Sequence, residues 1–213
     1  DVYKRQALES LYRCLDEAFP PSPGTRIYDI SFALNDAFDP LLWCNHQRQW
    51  PQFYWQQRSG DEELAALGAV KTFASLTQAH DFLRQQGRDD LRICGLNAFD
   101  PQQGLLLLPR LEWRRLGGSA TLRLVLSSES SLRDDARAAR EFLDSLTAKQ
   151  AQATAMPSLL SEQHFPAYPQ WRALITQATQ AIAAGEMDKV VLARATDLHF
   201  AAPLNACLFY TSP

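Results

Sequence analysis

Apolar residues recur along this chain with two periods, and the switching between them marks out its elements. Leu8, Leu11, Tyr12, Leu15 and Phe19 fall at three- and four-residue spacing, one face of a helix that Pro20, Pro21, Pro23 and Gly24 bring to an end. Over residues 26–34 the period drops to two, so Tyr28, Ile30, Phe32 and Leu34 share one face of a half-buried strand. Residues 36–49 hold Phe38, Leu41, Leu42 and Trp43 and predict a short helix or ordered loop. Residues 53–58 and 64–73 predict a hairpin about Ser59-Gly60-Asp61. Ala79, Phe82 and Leu83 predict a helix over 77–86 that stops at Gly87. Residues 91–96 read as a strand before a turn at 97–101, and the unbroken apolar run 105–108 as a buried strand. Segments 111–116 and 121–126 flank Gly117-Gly118, a two-residue hairpin signal.

Ser130 or Ser131 then caps a helix whose buried face is Leu132, Ala136, Ala139, Phe142, Leu143 and Leu146, with Asp134 and Asp135 in its first turn. Residues 149–157, mostly Ala, Gln and Thr, show no period and read as a linker. Trp171, Leu174, Ile175, Ala178 and Ile182 predict a further helix ending at Gly185, a residue free to take positive φ. From Lys189 the chain turns β-branched and apolar, which predicts a buried strand over 189–199. Alternation puts Lys189, Val191, Ala193 and Ala195 on one face of it, and Val190, Leu192, Arg194 and Thr196 on the other. Strands outnumber helices and neighbours join by hairpins, so the fold class is α+β with antiparallel sheets.

Composition narrows the function classes. A chain of 213 residues, 46% hydrophobic, buries a sizeable core, and a net charge of -3 without a clustered basic face argues against a nucleic-acid partner. No apolar run reaches the roughly 18 residues of a membrane span, so no membrane partner is expected. Cys14, Cys44, Cys94 and Cys207 lie far apart without a CxxC pair, which fits reduced thiols and a cytoplasmic location. There is no Gly-rich phosphate loop, HExxH or nucleophile elbow. His46, His80, His164 and His199 are dispersed; Asp61-Glu62-Glu63 and Asp89-Asp90 read as solvated turn acids, and Phe53, Tyr54 and Trp55 as a sheet-face aromatic cluster. Lys189 is the remaining candidate. A lysine opening a buried strand, with alanines on its face, has room beside its ammonium, and desolvation lowers a lysine pKa toward that of a useful base. The alternative is a strand-end lysine reaching solvent. Glu186, in the turn, and Asp188, on the far face, are not expected to touch Lys189, and Arg194 is expected in a structural ion pair.

The run GEMDKVVLARATDLHF resembles the first strand of the catalytic core in the chorismate-utilising enzymes. PQFYWQQRSGDEE, LRICGLNAFDP, LLLLPRLEWRR and TLRLVLSSESSL are similar, in the same order, to the N-terminal half of that family's menaquinone-pathway isochorismate synthases, and the likeness covers about residues 7 to 206. The resemblance implies two large antiparallel sheets packed face to face with helices outside and the active site between. It implies conversion of chorismate to isochorismate: Lys189, as general base, takes a proton from water that attacks C2 while the C4 hydroxyl leaves. A glutamate acid and glutamate-held Mg2+ would complete the site, from segments beyond this chain, which is expected to be inactive alone. Lysine at this place fits water as nucleophile, where ammonia-using relatives have glutamine. A salicylate or aminodeoxychorismate synthase is the enzymatic alternative, and a non-catalytic interaction module the other. The expected organisation is 7–156 as the N-terminal part of the synthase fold and 157–207 as the start of the chorismate-binding region. Residues 1–6 and 208–213 resemble translated sequencing-adapter tails.

Overall fold

The computed structural model of the protein describes residues 2–33, 38–97, 104–147 and 156–204. The expectations for Leu34, the turn beyond Asn97, most of the linker, Cys207 and residues 208–213 lie outside these. Contacts divide the chain into two compact units, Asp1–Gln152 and Ala153–Pro213.

The first unit contains α1 (Val2–Cys14), β1 (Gly24–Ala33), α2 (Pro40–Asn45), β2 (Gln52–Gln56), β3 (Glu62–Phe73), α3 (Leu76–Gln86), β4 (Cys94–Asn97), β5 (Gly104–Leu116), β6 (Ser119–Ser128) and α4 (Leu132–Asp144). Its strands form one antiparallel sheet in the order β1-β6-β5-β3-β2, with β4 also paired to β5. Both predicted hairpins turn on glycines at positive φ, Gly60 (80°) and Gly117 (56°). Ser75 and Ser131 cap α3 and α4 by accepting the N–H groups of Gln78 and Asp134, which satisfies donors the helices leave open.

Side-chain alternation gives the sheet two buried faces. Tyr28, Ile30 and Phe32 of β1, Leu122, Leu124 and Leu126 of β6, and Leu111 and Trp113 of β5 pack on α1, α2 and α4. On the opposite face Ile27, Val125 and Leu108 pack with Ala79, Phe82 and Leu83 of α3.

The predicted strands 105–108 and 111–116 are one strand, with Pro109 inside it. Pro109 lacks an N–H for the ladder, and it lies opposite Ala69, beside the register shift between Ala69 and Lys71. Close by, β5 parts from β6: their register ends at Leu111↔Leu124. Arg110 takes over, donating from Nη1 to the Val125 carbonyl (2.9 Å) and gripping Asp135 of α4 through both Nη atoms (2.8 and 2.6 Å), while Asp135 also accepts the Ser127 N–H (2.8 Å).

Gly68 sits at this bend at φ 65°, and a Cβ there would lie 2.7 Å from Phe142 Cε2 of α4. Gly68→Ala is therefore expected to lower stability by roughly 2–4 kcal/mol, from left-handed strain plus overpacking. The check is the urea midpoint of the transition seen by buried-tryptophan fluorescence.

The second unit contains β7 (Leu159–Phe165), α5 (Tyr168–Ala183) and β8 (Ala195–Phe200), with β7 and β8 paired antiparallel. The helix forms as its period predicts, with Pro169 in the first turn, where no intrahelical bond needs its missing N–H. It ends in a Schellman motif: Gly185 (φ 73°) donates its N–H to Ile182 O, and Glu186 donates to Ala181 O. The strand β7 was not foreseen. SLLSEQHF has no clean alternation, and its extended form rests on pairing with β8, more than thirty residues on.

Candidate active site

The segment carrying Lys189 begins at the Schellman turn, which throws the chain off the end of α5. Here the structure corrects the sequence reading. A buried strand was expected from Lys189, but β8 starts at Ala195, and residues 189–194 are irregular and mostly exposed, Val191 at 81%. The reason lies in the partner. The β7 ladder runs only to Phe165↔Ala195; Pro166 then supplies no N–H, and the chain turns into α5. Residues 189–194 thus have no strand to pair with among the described residues.

Lys189 is exposed and makes no hydrogen bond or ion pair with a described residue; neither Glu186 nor Asp188 pairs with it. The expected ion pair of Arg194 is replaced by a hydrogen bond, Nε donating to the Pro166 carbonyl (3.3 Å). On the sheet beside this segment His164 bridges two side chains, Nδ1 to Thr196 Oγ1 (2.8 Å) and Nε2 to Glu162 Oε1 (3.2 Å). Apolar side chains of α5, Leu174, Ile175 and Ile182, are exposed.

Chemically, Lys189 supplies an amine on a short tether that no described residue engages. Its side chain stands exposed rather than enclosed by a sheet. No three His, Cys, Asp or Glu side chains converge among the described residues, so these do not fit a magnesium ion.

Sequence reasoning missed a charged cluster in the first unit. Arg123 of β6 lies buried on the α3 side of the sheet, donating to both carboxylate oxygens of Asp29 (2.6 and 3.0 Å), to Asp90 Oδ2 and to the Asp90 carbonyl (2.7 Å). Arg88 binds the same two carboxylates. These guanidinium groups hold the Asp90 carboxyl far below, and the Asp29 carboxyl below, the ordinary range, although burial opposes this at Asp29. The available signal was Arg123 flanked by Leu122 and Leu124: an inward charge if both faces of the sheet are covered, an outward one if only one is.

Sequence comparison finds that a family model described as chorismate binding enzyme matches residues 95–210, and the chain belongs to that family. Among its individual relatives, isochorismate synthase MenF of Escherichia coli strain K12 is 58% identical over 201 residues, 94% of this chain and 47% of that enzyme. MenF of Haemophilus influenzae is 30% identical over 80% of this chain and 38% of the relative. The solved structure of E. coli MenF, described as the menaquinone-specific isochorismate synthase, superposes with a TM-score of 0.83 at 57% identity, over 95% of this chain and 48% of that one. The chain spans about half the length of the curated relatives it matches.

Proposed function

We propose that this chain is the base-bearing part of an isochorismate synthase acting in menaquinone biosynthesis, with chorismate as substrate. The supporting observation is the 58% identity to the E. coli enzyme across 94% of the chain, with GEMDKVVLARAT inside the matched region. Residues 7–156 form the N-terminal part of the synthase fold and 157–207 open the chorismate-binding region. Free thiols at Cys14, Cys44 and Cys94 suit a cytoplasmic setting, and no described helix is long and apolar enough to cross a membrane.

In the reaction, the neutral amine of Lys189 removes a proton from water as the water oxygen bonds to C2 of chorismate. Both ring double bonds shift, C1=C2 to C1=C6 and C5=C6 to C4=C5, and the C4 oxygen departs as water, protonated by an acid outside the described residues. Lys189 ends protonated and returns its proton to solvent. A base of this kind must be neutral near pH 7, which requires its desolvation. Extending β8 back through 189–194 against a further strand would supply that burial. Magnesium is implied by the family; no acidic cluster among the described residues fits it, and no step is assigned to it.

The test is a chimera joining residues 1–204 to the C-terminal half of E. coli MenF, assayed with chorismate and Mg2+. Isochorismate is the expected product. A chimera that melts cooperatively yet forms none, beside an active E. coli control, would refute the reading; salicylate or aminodeoxychorismate as product would favour the alternative enzymes.

A further inference from the structure

A buried carboxyl that the proposed reaction does not use lies in the first unit. Glu112 of β5 is directly opposite Arg123 of β6 in the sheet register and is only 3% exposed, yet it makes no hydrogen bond or ion pair with a described residue. Its natural counter-ion is taken. Arg123 spends its donors on Asp29 and Asp90, and with Arg88 these form a neutral set of two cations and two anions tying β1, β6 and the segment after α3 together.

None of the other described neighbours makes a hydrogen bond to Glu112. Ala66 lies opposite on β3 and offers no polar group. Arg114, two positions along β5, has a buried Nη1 with no hydrogen-bond partner. Arg92, ahead of β4, pairs with Glu62 at 3.8 Å. Cys94 of β4 and Asp29 of β1 are the remaining titratable groups facing the site, and the Cys94 thiol is itself pushed up by burial and by Glu112.

We propose that Glu112 is a proton-operated switch that sets whether Arg123 stays clamped on Asp90 and so whether the α3–β4 segment stays docked on the sheet. With its proton, Glu112 is a neutral buried acid and leaves Arg123 to Asp29 and Asp90. When the proton passes to solvent, a buried carboxylate without a partner stands across the ladder from Arg123. It then competes for that guanidinium, because an unpaired buried charge is among the costliest groups a fold can hold. Asp90 is the carboxylate that yields: its side chain is 43% exposed, so water can resolvate it, while Arg123 at 5% cannot follow it out. Residues 88–92 then keep Arg88 on Asp29, the pair of Arg92 with Glu62 and the buried Leu91, but lose the Arg123 clamp. Burial places the Glu112 carboxyl near neutrality, pushed up to about 7 from 4.5, with Arg123, Arg114 and Arg92 pulling the other way.

The experiment uses the 213-residue chain, independently of the synthase reading. Carbon-13 NMR of side-chain-labelled glutamate should show one carboxyl titrating near 7, absent from Glu112→Gln. Amide exchange of residues 88–92, normalised to intrinsic rates, should rise about tenfold between pH 6 and pH 8, as expected when a proton with a pKa of about 7 closes the segment. In Glu112→Gln it should stay flat. Asp90→Asn, which removes the clamp without touching the buried site, should exchange fast already at pH 6. Should Glu112→Gln fail to fold, the wild-type titration and Asp90→Asn still decide. All glutamates titrating below about pH 5.5, or a pH-independent exchange of 88–92 in the wild type, would overturn the proposal.

Discussion

Lys189→Gln, made in the chimera with the E. coli C-terminal half, is expected to lower kcat for isochorismate formation by about 10²–10⁴-fold, the usual contribution of a positioned general base. Glutamine keeps a long polar side chain but cannot carry a proton away from water at neutral pH. The melting temperature should hardly move, because the glutamine amide keeps the length of the side chain and can still hydrogen-bond where the lysine did. The two readings of this lysine separate cleanly. Losing a base lowers kcat by orders of magnitude. A lysine that only reaches solvent leaves kcat intact. A variant that melts normally and keeps more than about a tenth of the kcat excludes the base role. It would leave isochorismate synthase activity resting on the family likeness, without an assigned base in this chain.

Asp135→Ala should cost about 3–5 kcal/mol, the range for breaking a buried ion pair from one side. The effect has three sources. The Arg110 guanidinium keeps only the Val125 carbonyl in a site where little water reaches it, the Ser127 N–H loses its acceptor, and α4 loses an acidic group from its first turn. These bonds replace the ladder where β5 and β6 part, so the loss falls on a seam of the sheet. Arg110→Met with Asp135→Leu should regain much of the stability, because the stranded charge goes while the packing stays. Urea unfolding followed by Trp43 and Trp113 fluorescence gives both numbers. A loss below about 1 kcal/mol for Asp135→Ala would show that solvent satisfies Arg110 at this seam.

Much of the fold was legible because it is set locally. Ser131 caps a helix with its own hydroxyl, and Gly87 and Gly185 end helices at positive φ. Gly60 and Gly117 turn hairpins between segments of period two. None of these needs a residue distant in sequence. The likeness of GEMDKVVLARAT to a family strand likewise singled out Lys189 from contiguous residues alone.

Whatever depended on a distant partner was decided by tertiary structure. The period along β6 shows that Leu122 and Leu124 share a face, but whether Arg123 meets water or protein depends on the segment after α3, some thirty residues earlier. Glu112 and Arg110 are buried for the same kind of reason. Pro109 reads as a strand break until a bulge in β3 removes the need for its N–H. In the second unit SLLSEQHF becomes a strand because β8 pairs with it, and VVLAR, apolar enough to predict a strand, stays irregular because β7 stops at Pro166. A sequence by itself determines which face a side chain takes and where the local turns fall. What stands against that face, and so whether a charge such as Glu112 or Lys189 is desolvated, is settled only when the chain folds back on itself, because burial is a property of the pair of surfaces and not of either one.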